Sequence, residues 1–89
     1  MNSNAGWELK IRSKVLREVT RFPKKDVLRI NEAIKLLPDD PFVGDFQKMA
    51  GEKNVWRRRI GSYRIFFELR FEERVVYVYH VERRTSKTY

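Results

Sequence analysis

The chain has 89 residues, no cysteine and a formal net charge of +8. That length supports one domain with one modest core, and the absence of cysteine excludes disulfides and thiolate metal sites. An apolar fraction of 42%, with six Phe, four Tyr and two Trp, excludes a disordered chain despite 36% charged residues. No apolar run follows Met-Asn-Ser-Asn-Ala-Gly and no window reaches the length of a membrane span, so a cytoplasmic protein without a signal peptide is expected.

Trp7-Glu8-Leu9-Lys10-Ile11-Arg12 alternates apolar and polar side chains, the period of a half-buried strand with Trp7, Leu9 and Ile11 inward. Residues 1–6 ahead of it are expected to be flexible. Ser13 offers an N-cap to a short helix over 14–20, with Val15, Leu16 and Val19 on one face and Phe22 completing the stripe. Pro23 breaks that helix near Phe22 and suits the first position of the next. Val27, Ile30, Ile34 and Leu37 then recur at i, i+3, i+7 and i+10 with Ala33 beside them, which predicts a second helix ended by Pro38. Lys25, Asp26, Arg29, Glu32 and Lys35 fall on its outer face. The two helices predict an antiparallel hairpin laid across a sheet.

Residues 39–45 read as a loop from their Pro, Gly and three Asp. Residues 46–49 lead toward the sheet, and 50–54 form another turn. Three strands follow, over 56–60, 63–71 and 75–83, joined by Gly61-Ser62 and Glu72-Glu73-Arg74. The order is β-α-α-β-β-β. It predicts a single α+β domain over 1–89, an antiparallel sheet with the helical hairpin packed on one face. The other face stays open.

The charge is uneven. Residues 1–45 hold nine Lys/Arg against seven Asp/Glu; residues 46–89 hold eleven against five, so the excess lies in the sheet. A basic surface of this kind suits nucleic acid, an anionic membrane surface or an acidic protein. Alternation puts Arg57 and Arg59 on one face of their strand, and Trp56, Arg58 and Ile60 on the other. In the next strand Tyr63, Ile65, Phe67 and Leu69 read as core, with Arg64, Phe66 and Glu68 opposite. Arg57, Arg59 and Arg64 are therefore expected together on the open face, with Arg83 nearby at the end of the last strand. Converging guanidiniums suit phosphate, because the planar fork binds two oxygens at once. The competing reading pairs each arginine with Glu68, Glu72, Glu82 or solvent. The single histidine, His80, has no ligand cluster around it, so neither metal nor cofactor is expected; it is the titratable group best poised near neutral pH. No Gly-rich phosphate loop occurs.

Trp56-Arg57-Arg58-Arg59-Ile60-Gly61-Ser62-Tyr63-Arg64-Ile65-Phe66-Phe67-Glu68-Leu69 resembles the signature of the RelE/ParE superfamily of toxins. Its form is an aromatic, basic residues alternating with apolar ones, a glycine turn, then Tyr-Arg and an apolar strand. Val75–Val81 followed by Arg83-Arg84-Thr85-Ser86-Lys87-Thr88-Tyr89 resembles the last strand and the basic, Tyr-terminated tail. The resemblance covers residues 7–89 and implies a small RelE-like fold. By that resemblance Arg64 holds the scissile phosphate, Arg83 stabilises phosphate or protonates the leaving group, and Tyr89 stacks on a base and orients the 2′-hydroxyl. Arg57, Arg58, Arg59, Arg84 and Lys87 complete the set as RNA- and phosphate-binding positions. Arg57 and Arg59 stand where well-known members carry lysines. An arginine effectively keeps its proton in a protein, so both act as electrostatic stabilisers, and Tyr89 or Glu68 is left as base.

The resemblance implies a toxin that cuts messenger RNA in the ribosomal A site without metal, through attack of a 2′-hydroxyl on the adjacent phosphate. The alternatives are a ParE-like gyrase inhibitor on the same fold and a non-catalytic module binding RNA or an acidic protein. Every toxin reading implies a cognate antitoxin, expected to be acidic and partly disordered.

Overall fold

The computed structural model describes residues 6–39, 46–48 and 54–84, with the side chains of 46 and 47 left out. Strand β1 (Glu8–Ile11) leads into helix α1 (Ser13–Val19) and helix α2 (Lys24–Leu36). The chain returns as β2 (Phe46–Lys48), β3 (Val55–Ile60), β4 (Tyr63–Arg70) and β5 (Val75–Arg83). No helix among the described residues is long and apolar enough to cross a membrane.

The five strands form one sheet in the order β1-β5-β4-β3-β2. β3, β4 and β5 make the expected antiparallel meander. Two features extend the expected sheet. β1 joins at the β5 edge in parallel, with Leu9 opposite Val76 and Ile11 opposite Val78. The short β2, expected only as a lead toward the sheet, pairs antiparallel with β3 at the other edge. The helical hairpin carries the chain from one edge to the other, which frees β1 to pair with a strand distant in sequence.

The local signals act largely as read. Pro23 precedes the first residue of α2 with extended backbone, φ −57 and ψ 145, so it separates the helices without breaking either. Ser13 is the first helical residue rather than the cap; Arg12 holds the cap position and no side chain caps the turn. Gly61 takes φ +57 in the two-residue β3–β4 turn, a conformation open to glycine, and a Cβ there would also meet the Arg29 guanidinium at 3.3 Å.

Strand alternation builds the core. Ile65, Phe67 and Leu69 of β4 are fully buried, with Val76, Val78 and Val81 of β5 beside them. Val15 and Val19 of α1 and Ile30, Ala33, Ile34 and Leu37 of the α2 segment cover them. Trp7, Leu9 and Ile11 pack on the rim of this cluster. Leu16, expected on the buried stripe of α1, is 57% exposed: at seven residues the helix buries only its Val15 and Val19 face. Asp26, expected on the outer face of α2, instead turns to the sheet and accepts a 2.6 Å hydrogen bond from the Tyr63 hydroxyl.

One irregularity governs the open face. The β4–β5 register pairs Phe66 with His80 but Phe67 with Val78, so Tyr79 is an extra residue in β5. A β-bulge of this kind re-phases the strand. Strict alternation from Val76 and Val78 would send His80 and Glu82 into the core. The bulge turns both outward, opposite Phe66 and Arg64, and returns Val81 to the core opposite Ile65.

Candidate functional site

The open face is built from cross-strand pairs. Arg57 of β3 lies opposite Phe66 of β4, and Arg59 lies opposite Arg64. Arg64 in turn lies opposite Glu82 of β5, and Phe66 opposite His80. Directly opposed residues share a face with Cβ atoms about 5 Å apart. Three arginines, one glutamate, one histidine and a phenylalanine thus form one contiguous patch across three strands.

Arg64 Nη1 donates to Glu82 Oε2 at 2.9 Å. The pairing of arginines with glutamates weighed from the sequence therefore holds for this arginine. Both partners keep part of their side chains in solvent, 27% for Arg64 and 38% for Glu82, so the pair is partly exposed and screened. Glu82 Oε1 lies 3.3 Å from His80 Nε2, and His80 Nδ1 lies 3.2 Å from Glu18 Oε2 of α1. The other Glu18 oxygen accepts from the Val81 backbone N–H at 3.3 Å, and Lys14 Nζ stands 3.7 Å from Glu18. A chain of charged and polar groups thus runs from α1, under the bulge, to the Arg64 guanidinium.

Beside this patch lies a cleft of about 580 Å³ lined by Arg12, Val55, Phe66, Glu68, Tyr77, Tyr79 and His80. Its floor is aromatic. Phe66 lies 6.2 Å from Tyr79 and 5.4 Å from the His80 ring, and Tyr77 stacks on Tyr79 at 6.5 Å. Arg70 sits 4.6 Å over the Tyr77 ring while its Nε donates to Glu68 at 3.1 Å. Arginines at one end and half-buried rings at the other can accept a phosphate and a flat apolar group together.

The other expected site residues divide. Arg83 lies opposite Tyr63, on the helix-covered side of the sheet, with its guanidinium 5.9 Å over the Tyr63 ring. The expectation that it converges with Arg57, Arg59 and Arg64 is corrected by the bulge, which shifts β5 by one residue and sends Arg83 to the opposite face. Arg58 is likewise apart from the open-face arginines, opposite Ile65, and its Nε and Nη1 are buried with no hydrogen-bond partner among the described residues. Arg84 follows the last strand, exposed, its backbone N–H bonded to the Ser62 carbonyl. Lys87 and Tyr89 lie outside the described residues. Glu68, weighed as a base, sits four residues along β4 from Arg64, about 13 Å at the rise of a strand, and is engaged by Arg70.

From the sequence Glu82 is expected only as an ion-pair partner, and Glu18 falls outside the expected site. The His80-x-Glu82 spacing puts two polar side chains on one strand face and was legible. Which face they take depends on the bulge, which alternation cannot show.

The wider similarities agree with this architecture. A protein of Methanocaldococcus jannaschii named RelE1 is 24% identical over 81 residues, 88% of this chain and 90% of its own. A chain of the archaeal RelE–RelB complex from Pyrococcus horikoshii superposes with a TM-score of 0.80 at 22% identity, covering 92% of this chain and 99% of that one. The isolated E. coli RelE toxin superposes with a TM-score of 0.72 at 15% identity, covering 91% of this chain and 87% of that one. These structural likenesses show the fold. Residues 9–87 match the family described as the ParE toxin of the type II toxin-antitoxin system, parDE. The chain belongs to that family of type II toxin-antitoxin toxins, and is similar in sequence and fold to RelE toxins.

Proposed function

We propose that this toxin is a metal-independent, ribosome-dependent endoribonuclease that inhibits translation by cutting messenger RNA. The observation that carries the reading is the open-face row of Arg57, Arg59 and Arg64, side by side across two strands and flanked by the aromatic cleft. Arg64 and Arg59 hold the scissile phosphate and the charge that develops on it. Phe66, Tyr77 and Tyr79 offer ring faces to a neighbouring base. Arg84 and Lys87 contact the flanking backbone and Tyr89 stacks on a base and orients the 2′-hydroxyl, while Arg83, on the helix-covered face, stands apart from the reacting phosphate. The nucleophile is the ribose 2′-hydroxyl, and the product carries a cyclic phosphate.

Primer extension on a translated message tests this. The wild type is expected to introduce new 3′ ends, and Arg64→Ala to lower the cleavage rate about a hundredfold. No cleavage by the wild type, or undiminished cleavage by Arg64→Ala, overturns the reading. The family match favours a second one, a gyrase inhibitor on the same fold. Inhibited supercoiling by purified gyrase with translation intact would select it.

The partner in either case is a cognate antitoxin. The +8 charge calls for an acidic chain, and Leu16, Leu28, Leu36 and Phe71, each about half exposed or more, offer it apolar anchors. Solved complexes of relatives from Pyrococcus horikoshii and Mycobacterium tuberculosis hold toxin and antitoxin together. Co-expression with a neighbouring acidic reading frame is expected to yield a stable complex; failure of the two products to co-purify overturns this assignment.

A further inference from the structure

The ribonuclease reading lacks one part. Arg57 and Arg59 keep their protons under any physiological condition, so neither can accept one from a 2′-hydroxyl. The open face nevertheless holds a carboxylate in contact with the phosphate-binding arginine. Glu82 lies directly across the sheet from Arg64, with Oε2 accepting from Arg64 Nη1 at 2.9 Å. Resting on the ribonuclease reading, we propose that Glu82 is the general base of the cleavage, delivered to the open face by the bulge at Tyr79.

The geometry suits the task. An ionised carboxylate has about four acceptor positions, and Arg64 and His80 occupy one on each oxygen, so both oxygens keep accepting capacity. Arg64 has five donors and gives one to Glu82, leaving others for phosphate. The same guanidinium can therefore hold the phosphate and the base at adjacent points, which sets the base within reach of the 2′-oxygen. Glu68, the other carboxylate on β4, is engaged by Arg70 and stands four residues away along the strand.

The step balances. Glu82 takes the proton from the 2′-hydroxyl as O2′ bonds to phosphorus and the bond from phosphorus to the 5′-oxygen breaks. The departing 5′-oxygen takes a proton from water, and the proton on Glu82 then returns to solvent. The products are a 2′,3′-cyclic phosphate and a free 5′-hydroxyl.

The charged groups facing Glu82 are Arg64 from β4, with Arg59 of β3 opposite Arg64, and His80 on its own strand. Glu18 of α1, paired with Lys14, acts on it through His80, and Arg83 and Arg84 follow it in sequence. His80 touches Glu82 directly, so its contribution must be separated.

Single-turnover cleavage by purified toxin on ribosomes programmed with a defined message decides the matter. Glu82→Gln preserves shape and one acceptor. It is expected to cut about a hundredfold more slowly and to lose the acidic limb of the pH–rate profile, while His80→Gln keeps that limb. Glu82→Ala is expected to regain rate with added formate, which a misfolded protein does not. No cleavage by the wild type overturns both the ribonuclease reading and the base. Cleavage by the wild type that falls in Arg64→Ala but persists in Glu82→Gln with its acidic limb intact overturns the base alone.

Discussion

The two faces of the β4 strand are made by adjacent residues and behave as different materials. On the covered face Tyr63, Ile65, Phe67 and Leu69 lie under the helices with at most 4% of their surface exposed. On the open face Arg64, Phe66 and Glu68 are half-buried among arginines, glutamates and rings. The covered face is dry and apolar, and its tolerance is set by packing. The open face is wet and cationic, and its groups can take a further partner: the Arg64–Glu82 pair is partly solvated, and Arg64 has donors beyond the one on Glu82 to offer a phosphate. Stability and function are thus separated by one residue along the chain, and substitutions at neighbouring positions should separate them experimentally.

Phe66 and Phe67 give the largest contrast. Phe67 is fully buried and central to the cluster, so Phe67→Ala is expected to cost about 3–5 kcal/mol, a large share of the stability of a domain this size. Phe66→Ala removes a partly exposed ring resting on Tyr79 and His80 and is expected to cost about 1 kcal/mol. Under the proposed function its larger effect is expected on RNA, where loss of a stacking surface weakens binding by about tenfold. Urea denaturation and RNA titration of both variants check the pair. Equal losses of stability would break the distinction between the faces.

Tyr63 sharpens the comparison at the edge of the covered face. Its hydroxyl is the one polar group carried into that layer by β4, and Asp26 of α2 accepts its hydrogen bond at 2.6 Å. Burial raises the pKa of this phenol above 10, the bond to Asp26 and the charge of Asp26 add to the shift, and Arg83 and Arg29 oppose it. The native state therefore keeps the proton at a pH where the unfolded tyrosine has lost it. There the unfolded state binds fewer protons, so stability present below pH 10 is lost as pH rises through the folded value. Tyr63→Phe is expected to lower stability by about 1 kcal/mol at neutral pH and to remove this alkaline loss. Denaturation curves from pH 7 to above pH 10 measure both.

Most of the fold was legible because its signals are periodic. Alternation in Trp7–Ile11 and Tyr63–Leu69, the helical spacing of Val27 to Leu37, and the breakers Pro23, Pro38 and Gly61 each act over a few residues. The shared face of Arg57, Arg59 and Arg64 followed from the same alternation. What was not legible depended on pairing between distant strands. The parallel docking of β1 on β5 is one case, and the extra residue at Tyr79 is the other. A bulge leaves no mark in hydropathy, since Tyr79 is as acceptable in a regular strand as in an irregular one. Yet it moved Arg83 off the open face and brought Glu82 and His80 onto it.

Arg58 offers the smallest expected effect and the most direct test of face assignment. It sits between Arg57 and Arg59 in an Arg-Arg-Arg run, and composition alone treats the three alike. Its position opposite Ile65 carries it to the covered side, where Nε and Nη1 are buried without a hydrogen-bond partner among the described residues. Burying such donors without partners costs free energy, and an apolar side chain of similar length removes the cost while keeping the packing of the methylene stem. Arg58→Met is therefore expected to leave stability unchanged or raise it by about 1 kcal/mol, with RNA cleavage retained. Arg59→Met, one residue away on the open face opposite Arg64, is expected to do the reverse, lowering cleavage with little change in the urea midpoint. Loss of cleavage in Arg58→Met with stability intact would place Arg58 among the phosphate ligands after all, and the boundary between the two faces would then lie with the side chains rather than with the strand register.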